Sequence, residues 1–248
     1  MNRSEKQSET DFGSAREFFE KAQSGEKRHS LIPEETVRDL AYVEIPDPFY
    51  SKVKRILDIF LSLLALAVLL LPMGILAFVI YLDDPGAIFF SQSRIGLHGK
   101  SFQLYKFRTM RRQTPQYRAT GELDDPNRYI TRMGRFLRRS SLDELPQLFN
   151  VLKGDMSLVG PRPLIARECE MHAMRMRFGV YNVRPGLTGL AQINGRDRVD
   201  AAAKLHWDVR YLKEFGFRTD LKILLATVPC VLKQDGFNEG GSTFDPKQ

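Results

Sequence analysis

Residues 59–82 run for 24 positions without a charge, and no other feature restricts the fold of this chain as much. As a straight helix, at about 1.5 Å per residue, the stretch would reach roughly 36 Å, against a bilayer hydrocarbon core of about 30 Å. Few soluble folds house a helix of that length and apolarity, so a buried core helix is the poorer reading. A secretory signal also fits badly. The stretch begins late in the chain, exceeds the length of a signal h-region and lacks a small-residue cleavage site. Pro72 lies within it, lacks a backbone donor and clashes with the carbonyl of Val68, which predicts a kink. Lys52, Lys54 and Arg55 precede the stretch and favour a cytoplasmic N-terminal end. A straight span and a helix that turns back at Pro72 both satisfy that rule. Asp58 at the entrance is expected to meet Lys54 or Arg55 near the headgroups.

The rest of the 248-residue chain is globular in composition, 43% apolar and 27% charged. Its net charge of +7 is unevenly spread. Residues 1–50 hold 7 Lys+Arg and 11 Asp+Glu, a balance of −4, whereas residues 85–248 hold 27 and 16, a balance of +11. The basic part expects phosphates, nucleic acid or anionic lipid as partners. Two cysteines, Cys169 and Cys230, form no disulfide framework and suit a reducing compartment. The four histidines are scattered, so a His/Cys zinc site has little support.

Residues 1–48 read as a flexible acidic extension with at most one short helix near 15–22, ending in Pro46-Asp47-Pro48. The membrane element takes 49–82, a basic domain 83–235 and a short tail 236–248. Within the domain, 87–92 and 102–107 read as strands, joined by a hairpin-like 94–100. Residues 114–127 are a polar loop. Residues 128–139 read as a helix with Arg132, Arg135 and Arg138/Arg139 on one face, which beside a membrane would lie against lipid phosphates. A helix over 142–152 is closed by Gly154. Further helices are predicted over 165–178, 201–215 and 221–232, with a Pro/Gly-rich loop over 184–196.

Asp143-Glu144 is the pair with most chemical promise. Ser141 and Glu144 have capping-box spacing, but Pro146 conflicts with Ser141 as the N-cap. A helix start near Leu142 puts both acids in the first turn, where the helix dipole stabilises negative charge by about 0.3–1 kcal/mol. That serves an ionised nucleophile, a metal ligand or an inert cap equally. Downstream, Pro161 and Pro163 stiffen the backbone around Arg162, whose fork suits bidentate phosphate recognition. Lys106 and Arg108 alternate with Phe107 at a strand end, which predicts two cations on one face. Arg184 lies in a turn with two glycines. No Walker A or G-x-G-x-x-G pattern occurs.

Taken in order, KRILDIF, PGAIFFSQSRIG, KFRTM, TRMGRFLRRSSLDELPQLFNVLKGDMSLVGPRP, VRPGLTGLAQINGR, WDVRYL and TDLKIL resemble the bacterial sugar transferases, the monotopic phosphoglycosyl transferases. The resemblance covers about residues 52–232. It implies an α+β, mainly helical fold: a re-entrant membrane helix kinked at Pro72, a small catalytic domain with amphipathic interfacial helices, and a short β-hairpin. It implies transfer of a phosphosugar from a UDP-sugar to undecaprenyl or another polyprenyl phosphate, with release of UMP, at the start of glycan assembly. Asp143 would be the nucleophile and Glu144 would help it hold Mg²⁺. Pro161, Arg162 and Pro163 would belong to the nucleotide-sugar site, with Lys106, Arg108, Arg138 and Arg184 as further substrate-binding candidates. The site would face the cytoplasm from the bacterial inner membrane, among membrane lipids. The family often has Ser-Pro at the kink, where this chain has Leu71-Pro72. A nucleic-acid partner is disfavoured, since no aromatic/basic platform is interleaved. A homodimer stays open. The rival reading is a membrane-tethered, non-catalytic scaffold of a polysaccharide assembly machine.

Overall fold

The computed structural model describes residues 37–44, 47–114, 126–195 and 200–232. The short helix near 15–22, most of the 114–127 loop and the 236–248 tail lie outside the described residues.

Helix α1, Pro48–Asp83, spans 36 residues and stays helical through Pro72. It starts where chemistry favours a start. The Asp47 carboxylate accepts from the N–H of Phe49 at 2.9 Å, and Pro48 occupies the first helical position. Its buried residues, Tyr50, Lys54, Asp58 and Ser62, then Met73 and Ile80, follow a helical spacing and form one stripe. Phe60, Leu63, Leu64, Val68, Leu71, Ile75 and Phe78 are exposed. Only 17% of the most apolar 18 residues is buried, so α1 is no core helix, and it is long and apolar enough to enter a membrane.

Strands β1 (Phe89–Ile95) and β2 (Ser101–Phe107) pair antiparallel from Phe89↔Phe107 to Ile95↔Ser101. The first strand is shifted toward the turn relative to the sequence reading. The turn closes through His98 and Gly99, both at positive φ.

The single helix read over 128–139 is two, α2 (Pro126–Tyr129) and α3 (Arg132–Ser140). Between them Ile130 bridges to Met110, and Thr131 caps α3 by accepting from Gly134 N at 2.9 Å. A Cβ on Gly134 would lie 2.0 Å from the Thr109 carbonyl, so this approach needs a glycine.

The helix read over 142–152 also divides. Leu142–Glu144 forms a 3₁₀ turn, and α4 runs only over Gln147–Lys153, with Pro146 as its N-cap. Pro146, without an N–H, suits that helix start, whereas the long α1 and the helix Phe217–Leu232 accommodate Pro72 and Pro229 in their interiors. Gly154 closes α4 at φ 98°, as predicted.

Strand β3 (Ser157–Val159) pairs parallel with β4 (Gly186–Thr188), a pairing the sequence reading did not contain. Helices α5 (Cys169–Arg177), α6 (Leu190–Ile193), α7 (Ala201–Lys213) and α8 (Phe217–Leu232) complete the domain. The predicted helix over 165–178 is shorter at its start, α6 lies inside the predicted loop, and α8 begins earlier than expected. Among the described residues the fold is thus mainly helical, with two small two-stranded sheets.

Two core clusters matter for the site. In one, Met73 and Ile80 of α1 meet Phe107 and Leu137, with Leu142 and Leu145 packed alongside. In the other, Val37 joins Leu164, Met171, Phe178, Val180, Leu205 and Val209. Residues 37–44 therefore do not behave as the tail that a boundary at 48 implies. Val37 is 3% exposed and Val43 N donates to the Phe178 carbonyl at 3.3 Å, because this stretch supplies apolar side chains to the cluster around Phe178.

Candidate active site

The two acids sit where the chain reverses between α3 and α4. Ser141 adopts a left-handed conformation, φ 57°, which turns the backbone off the end of α3. Leu142 and Leu145 anchor the turn that carries Asp143 and Glu144 on the cluster shared with α1. Asn150, fully buried on α4, accepts from Tyr105 N at 3.0 Å and donates to the Gln103 carbonyl at 2.7 Å. Those bonds pin α4 to β2 and bring Lys106 to the acids.

Lys106 Nζ lies 2.6 Å from Glu144 Oε1 and 3.7 Å from Asp143 Oδ2. Arg162 Nη2 donates to the same Glu144 oxygen at 3.0 Å. Burial opposes ionisation of Glu144, yet Arg162 and Lys106 outweigh it and hold its carboxyl well below the usual carboxylate range. Asp143 differs. Burial pushes its pKa up, with Lys106 opposing and the Glu144 charge adding to the rise. Among the described residues its carboxylate accepts no hydrogen bond and has Lys106 as its nearest cation.

Arg138 Nε donates to Thr109 Oγ1 at 2.8 Å, and its charge lies near Asp143. Arg132, Arg135 and Arg139 line an outer groove with Phe136, so Arg138 does not share their face. Pro161 and Pro163 flank Arg162 as the motif requires. Two candidates lie elsewhere. Arg108 pairs with Asp84 at 3.3 Å, so it ties the strand to the end of α1 and does not face the acids with Lys106. Arg184 Nε donates to the Gly154 carbonyl at 2.9 Å and braces the end of α4.

The sequence reading also passed over residues that hold this site. Arg94 donates to the Pro163 carbonyl at 3.2 Å and is pushed down to about 10 by burial. Arg175 and Asp208 form a buried ion pair at 2.5 Å beneath Arg162. Arg94 falls in the predicted hairpin and Arg175 and Asp208 in predicted helices, with no spacing that links them to the acids.

Among the described residues no three of His, Cys, Asp and Glu cluster as a metal site. Asp143 and Glu144 offer two hard oxygen donors on one turn. That donor set fits Mg²⁺, which is usually held by one or two carboxylates together with substrate phosphates.

The family profile described as bacterial sugar transferase matches residues 49–234. An uncharacterised sugar transferase of Bacillus subtilis is 45% identical over 161 residues, 65% of this chain and 78% of that protein. The UDP-glucose:undecaprenyl-phosphate glucose-1-phosphate transferase of Caulobacter vibrioides is 41% identical over 197 residues, 73% and 70% of the two chains. The undecaprenyl-phosphate galactose phosphotransferase of Salmonella typhimurium is 40% identical over 199 residues, which span 74% of this chain but 41% of that longer protein. The chain belongs to the bacterial sugar transferase family and is a phosphoglycosyl transferase.

Proposed function

We propose that this protein moves a sugar 1-phosphate from a UDP-sugar to undecaprenyl phosphate and releases UMP, with Asp143 as the nucleophile. The observation that carries the reading is the unequal treatment of the two acids. Glu144 is bound by two cations, while the Asp143 carboxylate beside it is buried and free of hydrogen bonds among the described residues. A poorly solvated, unbonded carboxylate is the stronger nucleophile of the two.

The reaction divides into two displacements. An Asp143 oxygen attacks the sugar-bearing phosphorus, an O–P bond forms, and the bond to UMP breaks. A phosphate oxygen of undecaprenyl phosphate then attacks the same phosphorus, and the Asp143 carboxylate leaves. The product is an undecaprenyl diphosphate sugar, which primes exopolysaccharide or a related glycan. Both steps bring anions together. Lys106, Arg138 and Arg162 offset that repulsion at the turn. Asp143 and Glu144 would hold Mg²⁺, which supplies charge neutralisation at the diphosphate when bound. A covalent intermediate suits a water-soluble donor and a lipid acceptor, because they need not meet in the site, and its kinetic mark is ping-pong behaviour.

The placement of α1 supports a re-entrant, cytoplasm-facing arrangement. Near its start, Lys54 pairs with Asp220, and Arg55 donates to the Val151 and Leu152 carbonyls. Near its end, Asp83 accepts from Met133 N at 3.1 Å and Asp84 pairs with Arg108. One domain thus holds both ends, whereas a span would put a bilayer of about 30 Å between them. Lys52, Lys54 and Arg55 favour the cytoplasmic side for that shared face. UDP-sugars are supplied there.

The test is release of UMP by the purified protein across a panel of UDP-sugars, with and without undecaprenyl phosphate. A trapped phosphosugar adduct on Asp143 and parallel-line kinetics support the reading. Absence of UMP with every donor would leave the scaffold reading in its place.

A further inference from the structure

The segment that carries Arg162 is held by its carbonyl groups. Pro161 and Pro163 have no N–H, so the loop has little to donate and is fixed by what it accepts. The Pro161 carbonyl accepts from Gly186 N at 2.9 Å, and the Leu164 carbonyl from Ile95 N at 3.1 Å. Side chains hold the others: Arg175 donates to the Arg162 carbonyl at 2.8 Å, Arg94 to that of Pro163 at 3.2 Å, and His172 to that of Ile165 at 2.9 Å. Each carbonyl from 161 to 165 therefore has a donor.

Arg175 is the member of this set that touches Arg162 itself. It is 3% exposed, and its second nitrogen meets Asp208 on α7 at 2.5 Å, with Asp208 2% exposed. Stability alone does not account for such a pair, since apolar residues of similar volume commonly do as well. Its geometry supplies a reason. One planar fork reaches both the α7 carboxylate and the backbone of the residue whose side chain lies on Glu144. We infer that Arg175, with Asp208 as its counter-charge, is a positioning residue that sets the reach of Arg162 toward Glu144 and the transferred phosphate. The inference rests on the role of Arg162 proposed above.

A lysine at 175 keeps the charge for Asp208 but lacks the fork that spans two acceptors. Misplacement of a catalytic group by about 1 Å costs on the order of a hundredfold. The experiment measures UMP release against UDP-sugar concentration, together with melting temperature, for full-length Arg175→Lys, Arg162→Ala and the double variant. A second pair, Arg175→Met with Asp208→Leu, removes the ion pair while keeping volume and fold. The expected result is a fall in kcat of about tenfold to a hundredfold in Arg175→Lys and in the Met/Leu pair. In the Arg162→Ala background neither change should cost anything more, because the residue they position is gone. Wild-type kcat in both would overturn the inference, and so would losses that multiply with Arg162→Ala. If Arg162→Ala itself releases UMP at the wild-type rate, the proposed role of Arg162 fails first and takes the inference with it.

Discussion

Two buried aspartates in this protein each have a lysine beside them and end up bonded in opposite ways. Asp220 on α8 lies among a lysine and two tyrosines. Its Oδ2 accepts from Tyr50 at 2.7 Å and Lys54 at 2.5 Å, and its Oδ1 accepts from Tyr211 at 2.8 Å. Burial and the Asp220 carboxylate push both tyrosine hydroxyls up, so they remain donors. Asp143 is also buried beside a lysine, yet that lysine bonds to Glu144 and leaves Asp143 with charge compensation alone. The difference teaches what would separate a structural clasp from the nucleophile proposed above. A carboxylate whose oxygens are all engaged holds α1 to the domain, whereas one stabilised at a distance keeps its lone pairs for chemistry.

Substituting each acid should break the comparison cleanly. Asp143→Asn should abolish UMP release and any phosphosugar adduct while melting stays close to wild type, because an amide does not attack phosphorus. An adduct trapped on that variant would remove Asp143 from the role. Next in size, Arg162→Lys should lower turnover by roughly a hundredfold, the scale for loss of one oriented donor to a developing charge. Unchanged kinetics there would make Arg162 an ordinary loop residue.

Asp220→Asn should behave in the reverse sense. It leaves the buried Lys54 charge with Asp58, at 4.0 Å, as its counter-charge, which costs about 3 kcal/mol and lowers the melting temperature by roughly 6–12 °C, with turnover per folded molecule retained. A melting curve that overlays the wild type would show that Asp220 does not hold α1 to the domain. Val37→Ala should cost about 2 kcal/mol, read by the same melting experiment, if residues 37–44 belong to the core.

The smallest effect concerns pH. His172 is buried, and burial holds its pKa below the ordinary 6.5. The unfolded chain therefore binds a proton that the folded protein refuses. The sign follows: the contribution is complete above about pH 6.5 and is lost as pH falls below it. Wild type should lose more melting temperature between about pH 7 and pH 5 than His172→Gln does. Parallel pH profiles would show that His172 does not carry this sensitivity.

Some of this molecule is legible along the chain. The run 59–82, the proline at the start of α4, the glycine that ends α4 and the stiffened Arg162 are local in cause, since each depends on a residue and its near neighbours. The site was legible to the extent that Asp143, Glu144, Lys106 and Arg162 do meet. Period-two spacing put Arg108 beside Lys106, but Asp84 claims it at the end of α1. No periodicity announces that Asn150 will pin α4 to β2, that β3 will find β4 across 29 residues, or that Arg175 will meet Asp208 across 33. Nor does composition show that Val37, in an acidic stretch, fills a core position. The chain by itself determined a helix long and apolar enough to enter a membrane and an acid pair with cations nearby in type. Only the tertiary structure decided which cation serves which acid, because a buried charge takes the partner that packing brings within about 3 Å, and sequence spacing does not measure that distance.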